Sequence, residues 1–314
     1  MNTEYTFMQE KDREFPPMVI VDFTNACNLR CVHCAHPVIK KESGYKPEFM
    51  KKELFKKIVD EVARHDILLM RIASDGESLL HPDFFEMMHM AKDAGIAPVN
   101  LTTNGMLLTP ETNRRLVQCG LDIVDVSIDA HTKETYEKIR RGGNYDKVRA
   151  NTLDLIAARD ESKSDMRVFV SLIRQPLNAH EVDDFQAFWT PKVDFVLTRN
   201  LCDEVGLVDI APVEAVTVPD TRWPCPQFWK RITITHRGDV RYCVEDWRNT
   251  TVIGNVARQS IAEIWQGEAY QQLRERQLRG DYAGMTLCED CKDWATAPWD
   301  FGYDRIVKTV LRKS

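Results

Sequence analysis

Residues 18 to 34, MVIVDFTNACNLRCVHC, decide how the whole chain is read. The first seven form a β-branched and aromatic run of the kind that builds a buried strand. Three cysteines follow it at once, Cys27, Cys31 and Cys34, in a C-x3-C-x2-C spacing. Five further strand-like runs come after, at 68–74 (LLMRIAS), 97–103 (APVNLTT), 123–129 (IVDVSID), 166–173 (MRVFVSLI) and 193–199 (VDFVLTR). Between them apolar residues recur at helical spacing. Segment 47–65 carries Leu54, Phe55, Ile58, Val59 and Val62, and segment 82–94 carries Phe84, Phe85, Met88 and Ala91. Segments 110–119, 132–159 with an interruption at Gly142 and Gly143, and 180–188 complete the alternation. Six strand-then-helix units predict a parallel sheet, because each crossover returns the chain to the same sheet. Six units rather than eight predict an α/β fold built as a partial (β/α)6 TIM-like barrel. Chemistry in such barrels gathers at the C-terminal ends of the strands, where the three cysteines fall.

The 314 residues are 43% hydrophobic, enough for a barrel-sized domain and a smaller companion. Lysine and arginine number 42 against 48 acidic residues, a net charge of −6 that is spread rather than blocked. That distribution points away from a nucleic-acid or membrane-surface partner. The opening MNTEYTFMQEKDREFPP has no apolar stretch behind a basic start, and no run reaches the roughly 18 apolar residues of a spanning helix. A cytoplasmic enzyme is expected. Nine cysteines, an odd number without an export signal, favour metal binding over disulfides.

Three thiolates on one short loop can hold three irons of a [4Fe–4S] cube and leave the fourth iron open to a small chelating molecule. A structural zinc would need a fourth ligand, with His33 or His36 on offer. The motif, with His33 in the aromatic-type position before the last cysteine, resembles the radical S-adenosylmethionine (SAM) superfamily. In that family the open iron binds the amino and carboxylate groups of SAM. SDGESLL (74–80) resembles the glycine-glycine-glutamate motif, TTNG (102–105) the turn after the third strand, and SIDA (127–130) the fourth-strand ribose contact. YEKIRRGGNYDKV (136–148) is also similar to the family, and the matches span about residues 18 to 200.

The resemblance implies that Gly76, Glu77, Asn104, Ser127, Asp129 and Arg140 contact SAM. The chemistry agrees. Glu77 can accept from the ammonium, Arg140 can face the carboxylate, and Ser127 and Asp129 are expected to alternate onto one strand face for the ribose. Taken singly, such residues are more often caps or turn formers; their joint order favours the site. Two positions depart from the family, Asp75 in place of the first glycine and Ser78 in place of the usual proline.

After Leu201 the alternation stops. Residues 202–224 carry three prolines and no sustained period. RITITHRGDVRYC (231–243) predicts a hairpin turning at Arg237 to Asp239. Residues 260–279 predict one amphipathic helix with Ile261, Ile264, Trp265 and Leu273 inward, opened by a capping box at SIAE. The expected organisation is an N-terminal extension (1–17), the barrel (18–201), a linker (202–224), and a small C-terminal iron–sulfur domain with its tail (225–314). That last segment holds Cys225, Cys243, Cys288 and Cys291, spaced C-x17-C-x44-C-x2-C. Four thiolates suit a complete [4Fe–4S] cluster or one zinc, and spacing alone leaves both open.

The surroundings, CPQFWKRITITHRGDVRYCVEDW, IGNV, SIAEIW and CEDC, resemble the SPASM/twitch extension of radical SAM enzymes. The resemblance implies an auxiliary [4Fe–4S] cluster in the short, one-cluster twitch form. Val244 stands where the family often has a further cysteine. Four-cysteine ligation leaves no open iron and implies electron transfer. Of the two remaining cysteines, Cys119 reads as a buried small hydrophobe. Cys202 reads as a buried residue or as a hydrogen-atom donor at the barrel mouth. Arg174, His180 and Arg199, near strand ends, read as a base or phosphate contacts or, in preference, as solvated surface residues.

By this resemblance, the chain is expected to cleave SAM reductively to a 5′-deoxyadenosyl radical that abstracts hydrogen from a small substrate. Similarity to twitch dehydrogenases implies oxidation of a secondary alcohol on a sugar or aminocyclitol. The alternatives are a radical epimerase of a carbohydrate using Cys202, an elimination, and a peptide-modifying SPASM maturase. Maturases often carry a peptide-recognition domain in front, where this chain has 26 residues before Cys27. A non-catalytic zinc-binding interaction protein is the reading from another class. The expected partners are the sugar-like or aminocyclitol substrate and an electron donor such as flavodoxin or ferredoxin, with no nucleic acid and no membrane.

Overall fold

The six strand-like runs form the strands β1 (Met18–Val21), β3 (Leu69–Ile72), β4 (Val99–Thr103), β5 (Ile123–Ser127), β7 (Arg167–Arg174) and β8 (Phe195–Asn200) of a computed structural model. Two short strands, β2 (Arg30–Cys31) and β6 (Arg140–Arg141), form a separate ladder. The structure describes residues 14–73, 75–202, 204–211, 213, 220–296 and 309–311. Most of the expected N-terminal extension (1–13), part of the expected linker (203, 212 and 214–219) and most of the expected tail (297–308 and 312–314) lie outside the described residues.

The six long strands lie in chain order and pair in parallel throughout, as the partial barrel requires. Helices Lys52–Val62, Phe84–Asp93, Pro110–Gln118 and Val182–Trp189 return the chain between them. The fourth crossover is split into Lys133–Ile139 and Tyr145–Glu161 at the two glycines. At Gly143 a Cβ would come within 2.8 Å of the Tyr136 ring, so close packing demands the glycine there.

Strand alternation sorts the side chains into two environments. Val19, Val21, Met70, Ile72, Leu101 and Val124 join the main core with helix residues such as Phe55, Met88 and Phe185. The opposite face carries a smaller apolar cluster of Met18, Ile20, Leu69, Ile123, Phe169 and Leu197, on which Val310 and Leu311 pack. Further along that inner face the residues turn polar. Arg71 donates to Thr102 Oγ1 (3.1 Å from Nη2), Arg199 to Asp125 Oδ2 (3.2 Å), and the hydroxyls of Ser127 and Ser171 lie 3.3 Å apart. Arg199, expected to be solvated, thus faces inward, because its register on β8 places it on the same face as Asp125.

The expected hairpin forms from β9 (Ile232–Ile234) and β10 (Asp239–Arg241), followed by β11 (Val252–Asn255). β9 pairs in parallel with β1, so the hairpin extends the barrel sheet to nine strands, in the order β11-β10-β9-β1-β3-β4-β5-β7-β8.

The single helix expected over 260–279 is two, Ile261–Gln266 and Glu268–Arg279. They part at Gly267, which has an extended backbone and whose Cβ would sit 2.8 Å from the Glu263 carbonyl oxygen. The bend lets buried Arg274 donate to both the Phe228 and Trp265 carbonyls, at 2.9 and 2.8 Å. The capping box is present. Ser260 Oγ accepts from Glu263 N at 3.0 Å, and Glu263 Oε2 accepts from Ser260 N at 2.7 Å. Glu61 reaches across from the barrel and accepts from the N–H groups of Ile261 and Ala262, at 2.8 and 2.9 Å. Glu61→Ala is therefore expected to lower stability by about 2 kcal/mol, measured by urea denaturation, since it strips a cap from two orphan donors. An unchanged midpoint would mean that packing alone holds this helix. Among the described residues no helix is long and apolar enough to cross a membrane.

Candidate functional site

The loop leaving β1 is pinned before it reaches the cysteines. Thr24 Oγ1 donates to the Glu48 carbonyl at 2.6 Å and accepts from Ala26 N at 2.9 Å. The β2–β6 ladder then sets Cys31 opposite Arg140. Each sulfur has an N–H directed at it. Leu29 N lies 3.5 Å and Asn104 Nδ2 4.0 Å from Cys27 Sγ, Arg140 Nη1 3.8 Å from Cys31 Sγ, and His36 N 3.4 Å from Cys34 Sγ. Donors of this kind favour anionic sulfur and tune a cluster held by it. Burial pushes the Cys31 thiol up to about 11 and raises Cys27 and Cys34 as well, and the neighbouring sulfurs add to the rise at Cys31 and Cys34. Thiols so placed give up their protons on binding a metal, so this three-cysteine corner fits a cluster with one open position.

Beside it, the turn after β3 is pressed onto the cysteine loop. A Cβ on Gly76 would overlap the Ala26 carbonyl and lie 2.5 Å from that of Thr24, while Glu77 N donates to the Ala26 oxygen at 2.8 Å. Buried Glu77 accepts from Thr103 Oγ1 (2.8 Å) and Leu79 N (3.3 Å) on one oxygen and from Asn104 N (2.7 Å) on the other. Burial raises its carboxyl against those three donors. Asn104 also donates to Asn28 Oδ1 at 2.7 Å. The structure thus brings Gly76, Glu77 and Asn104 together around Cys27.

Ser127 and Asp129 are arranged differently from the expected alternation on one strand face. β5 ends at Ser127, and Asp129 lies beyond it with φ 63°, a left-handed conformation that turns its carboxylate toward β7. Asp129 Oδ1 accepts from Ile173 N at 2.7 Å, and Oδ2 accepts from Arg140 Nε at 2.8 Å and lies 2.6 Å from Nη2 in an ion pair. The cation expected to face a SAM carboxylate is therefore already paired with the residue expected to hold the ribose. His33 Nε2 lies 3.4 Å from the same carboxylate, and Gln175 Nε2 lies 3.2 Å from His33 Nδ1. Burial pushes His33 down to about 4, so the ring is neutral at neutral pH. Gln175 had no signal in the sequence.

Asp75, the departure from the family motif, also has a partner. Its two oxygens accept from Arg241 Nη1 and Nη2, both at 3.0 Å; Nη2 also donates to Asp22 at 3.2 Å, and Nη1 to the Asp246 carbonyl at 2.7 Å. The Arg241 and Asp22 side chains are fully buried. Breaking such a buried pair by removing one partner costs about 3–5 kcal/mol. The sequence did hold a trace of it, since alternation in the hairpin sets Arg241 opposite Thr233 on a buried strand.

The four C-terminal cysteines converge. Cys225 N donates to Gln277 Oε1 at 2.9 Å, and Gln277 Nε2 lies 3.8 Å from Cys288 Sγ. Arg222 holds the Cys288 carbonyl at 2.8 Å, and Tyr242 Oη donates to the Thr286 carbonyl at 2.7 Å, closing the loop that ends at Cys288 and Cys291. Burial pushes Cys225 up to about 12 and Cys288 to about 11, with Cys291 adding to both. Burial also raises Cys243, with further contributions from Cys225 and Cys288. Four thiols that feel one another fit a fully ligated cluster. Cys119 is apart and buried, with its Sγ donating to the Leu116 carbonyl at 3.2 Å. Half-buried Cys202 sits with Glu245 and Asp293, their ligand atoms all within 4.8 Å of one another. His180 is exposed.

The radical SAM superfamily model matches residues 21–169, and the SPASM iron–sulfur cluster-binding domain model matches residues 225–292. The mycofactocin maturase MftC of Mycobacterium tuberculosis is 30% identical over 176 residues, 56% of this chain and 42% of that protein. The AdoMet-dependent heme synthase of Methanosarcina barkeri is 37% identical over 125 residues, 40% of this chain and 34% of that one. The match thus spans less than half the length of each relative. Among solved structures, BtrN in complex with AdoMet and 2-DOIA aligns with a TM-score of 0.61 at 19% identity, over 88% of this chain and 92% of that chain. Streptococcus suis SuiB bound to S-adenosylmethionine aligns at 0.70 and 13% identity, over 94% and 75%. These structural likenesses show the fold. The radical SAM domain binds SAM and a [4Fe–4S] cluster, and the SPASM domain binds auxiliary iron–sulfur clusters. With both domain models matched and both cysteine sets assembled, the chain belongs to the radical SAM superfamily as an enzyme carrying a C-terminal SPASM domain.

Proposed function

We propose that this enzyme oxidises a secondary alcohol on a small sugar-like or aminocyclitol substrate. The observation that carries the reading is the single convergent set of Cys225, Cys243, Cys288 and Cys291, with only Cys119 and Cys202 left over in the chain. Four thiolates occupy every corner of a cluster, which suits it to take an electron rather than to bind substrate. The likeness to BtrN over nearly the whole of both chains supports the same reading. When bound, the cofactors supply a 5′-deoxyadenosyl radical that takes a hydrogen atom and an auxiliary cluster that accepts an electron.

The chain's own residues supply binding and exclusion of water. Cys27, Cys31 and Cys34 hold the first cluster, with Asn104 and Arg140 donating at its edge. Glu77, with three of its roughly four acceptor directions already filled, keeps one for the methionine ammonium, which docks over Gly76. Ser127 offers its hydroxyl to the ribose, and Asp129 acts through Arg140. The inner apolar cluster closes the base of the barrel against water. Beyond it, Arg71, Thr102, Asp125, Ser171 and Arg199 form a polar wall matched to a hydroxyl-rich substrate. A reduced carrier such as flavodoxin or ferredoxin delivers the first electron.

The test is anaerobic incubation of iron-reconstituted protein with SAM, dithionite and a panel of aminocyclitols and sugars. The expected result is 5′-deoxyadenosine formed in step with a product lighter by two hydrogens. A product of unchanged mass that has taken hydrogen from solvent would replace oxidation by epimerisation, with Cys202→Ala blocking it. SAM consumption without 5′-deoxyadenosine would remove hydrogen abstraction altogether. A peptide substrate is the second reading, favoured by the identity to the mycofactocin maturase. It would prevail if a peptide were modified and every polyol left untouched.

A further inference from the structure

The buried contact between Asp75 and Arg241 joins the two cluster regions. Asp75 leads directly into Gly76 and Glu77, whose N–H donates to Ala26, the residue before Cys27. Arg241 lies two residues before Cys243, and Asp246, whose carbonyl takes one of its N–H groups, fixes the loop beyond through Thr251 N and Oγ1 at 2.6 and 2.8 Å. Asp22, the third member, follows β1 and donates its own N–H to Ile234 on β9 at 2.9 Å. All three elements carrying the contact also lead into a cysteine or a SAM residue. A planar guanidinium bound through both terminal nitrogens to one carboxylate fixes orientation as well as distance, which a lysine ammonium does not.

We infer that Arg241 is a positioning residue that sets the SAM-binding turn in register with the auxiliary-cluster loop by gripping Asp75 through both Nη atoms. This rests on the assignment of Gly76 and Glu77 to SAM, and it is independent of what the substrate is. It gives the aspartate a purpose at a place where the resembled motif has glycine. A disturbance at Cys243 then reaches the SAM turn through Arg241.

The experiment measures SAM affinity on cluster-loaded protein without substrate, from the SAM-induced change in the electron paramagnetic resonance signal of the reduced first cluster. Arg241→Lys keeps the charge and loses the fork, so the dissociation constant is expected to rise about tenfold at full iron content. Asp75→Asn, which leaves Arg241 paired with Asp22, is expected to raise it about threefold. In a double-mutant cycle, Cys243→Ser weakens SAM binding about fivefold in the native background and by less than about twofold once Asp75 is asparagine. Amide exchange at Glu77 and Leu79 accelerates in the same order.

A purely structural role would lower Tm but leave SAM affinity and exchange unchanged in the folded, iron-replete protein. That outcome, or simple additivity in the cycle, overturns the inference. If Arg241→Lys does not fold, Asp75→Asn and the cycle decide it alone. Gly76→Ala separates the two levels. Native affinity in that variant removes the turn from the SAM site and the inference with it, whereas native affinity in Asp75→Asn alone removes only the role of Arg241.

Discussion

Gly76→Ala is expected to lower SAM-dependent turnover at least about 100-fold while leaving both cysteine sets able to load iron. The added methyl has nowhere to go, because it points at two backbone carbonyls, those of Thr24 and Ala26, rather than at a side chain that can swing away. Both belong to the loop that places Cys27, and Glu77 N is itself bonded to Ala26 O at 2.8 Å. Relief requires the turn to move back from the cysteine loop. That takes Glu77 with it and strains its bonds to Thr103 and Asn104. A misplacement of about 1 Å between a bound reactant and its reacting partner costs roughly 100-fold in rate, and weakened SAM binding multiplies the loss. The expected result is a fall of at least about 100-fold in 5′-deoxyadenosine formation, with iron per chain unchanged and SAM no longer altering the spectrum of the reduced first cluster. Normal turnover would mean that the methionine end of SAM does not dock on this turn.

The barrel and the cysteine sets are legible in the sequence for different reasons. Strands and helices here have strong periods, so 123–129 and 47–65 declare themselves locally and the structure needs only to trim their ends. The cysteines declare themselves because thiolate chemistry constrains spacing along the loop, whatever the rest of the chain does. What stayed hidden is non-local. Gly267 inside a helical pattern is only a weak breaker by itself, at about 1 kcal/mol relative to alanine. The helix nevertheless divides there, and buried Arg274 of the second half reaches the carbonyls of Trp265 and Phe228, contacts that no local pattern announces. The pairing of β9 with β1 joins segments more than 200 residues apart, which no local period encodes. Asp129 looks like a strand residue until its left-handed turn carries it onto Arg140, so two expected SAM contacts become one ion pair. Asp75 looked like an imperfect copy of a glycine for the same reason, its partner Arg241 being 166 positions away.

Cys243→Ser separates the two halves of the proposed reaction. Converting a secondary alcohol to a ketone removes one hydrogen atom, one proton and one electron, and only the hydrogen atom is taken at the first site. Cys243 lies two residues beyond β10, where burial and the sulfurs of Cys225 and Cys288 all act on it, so its loss opens the auxiliary set. Iron is expected to fall from about eight to about four per chain, since each [4Fe–4S] cluster holds four. The first cysteine loop, held by Thr24, the β2–β6 ladder and Glu77, keeps its cluster, and saturating SAM offsets the roughly fivefold weaker binding expected of this variant. 5′-Deoxyadenosine therefore continues to form in the presence of substrate, while the oxidised product falls by at least about 100-fold, the loss expected when one essential member of a catalytic unit is removed. Cys27→Ser, by contrast, stops both. If Cys243→Ser still makes the oxidised product at the native rate, the C-terminal set does not take the electron. Oxidation would then need another electron acceptor, such as the oxidised form of the carrier that supplies the first electron, and the C-terminal cysteines would be left with a structural role.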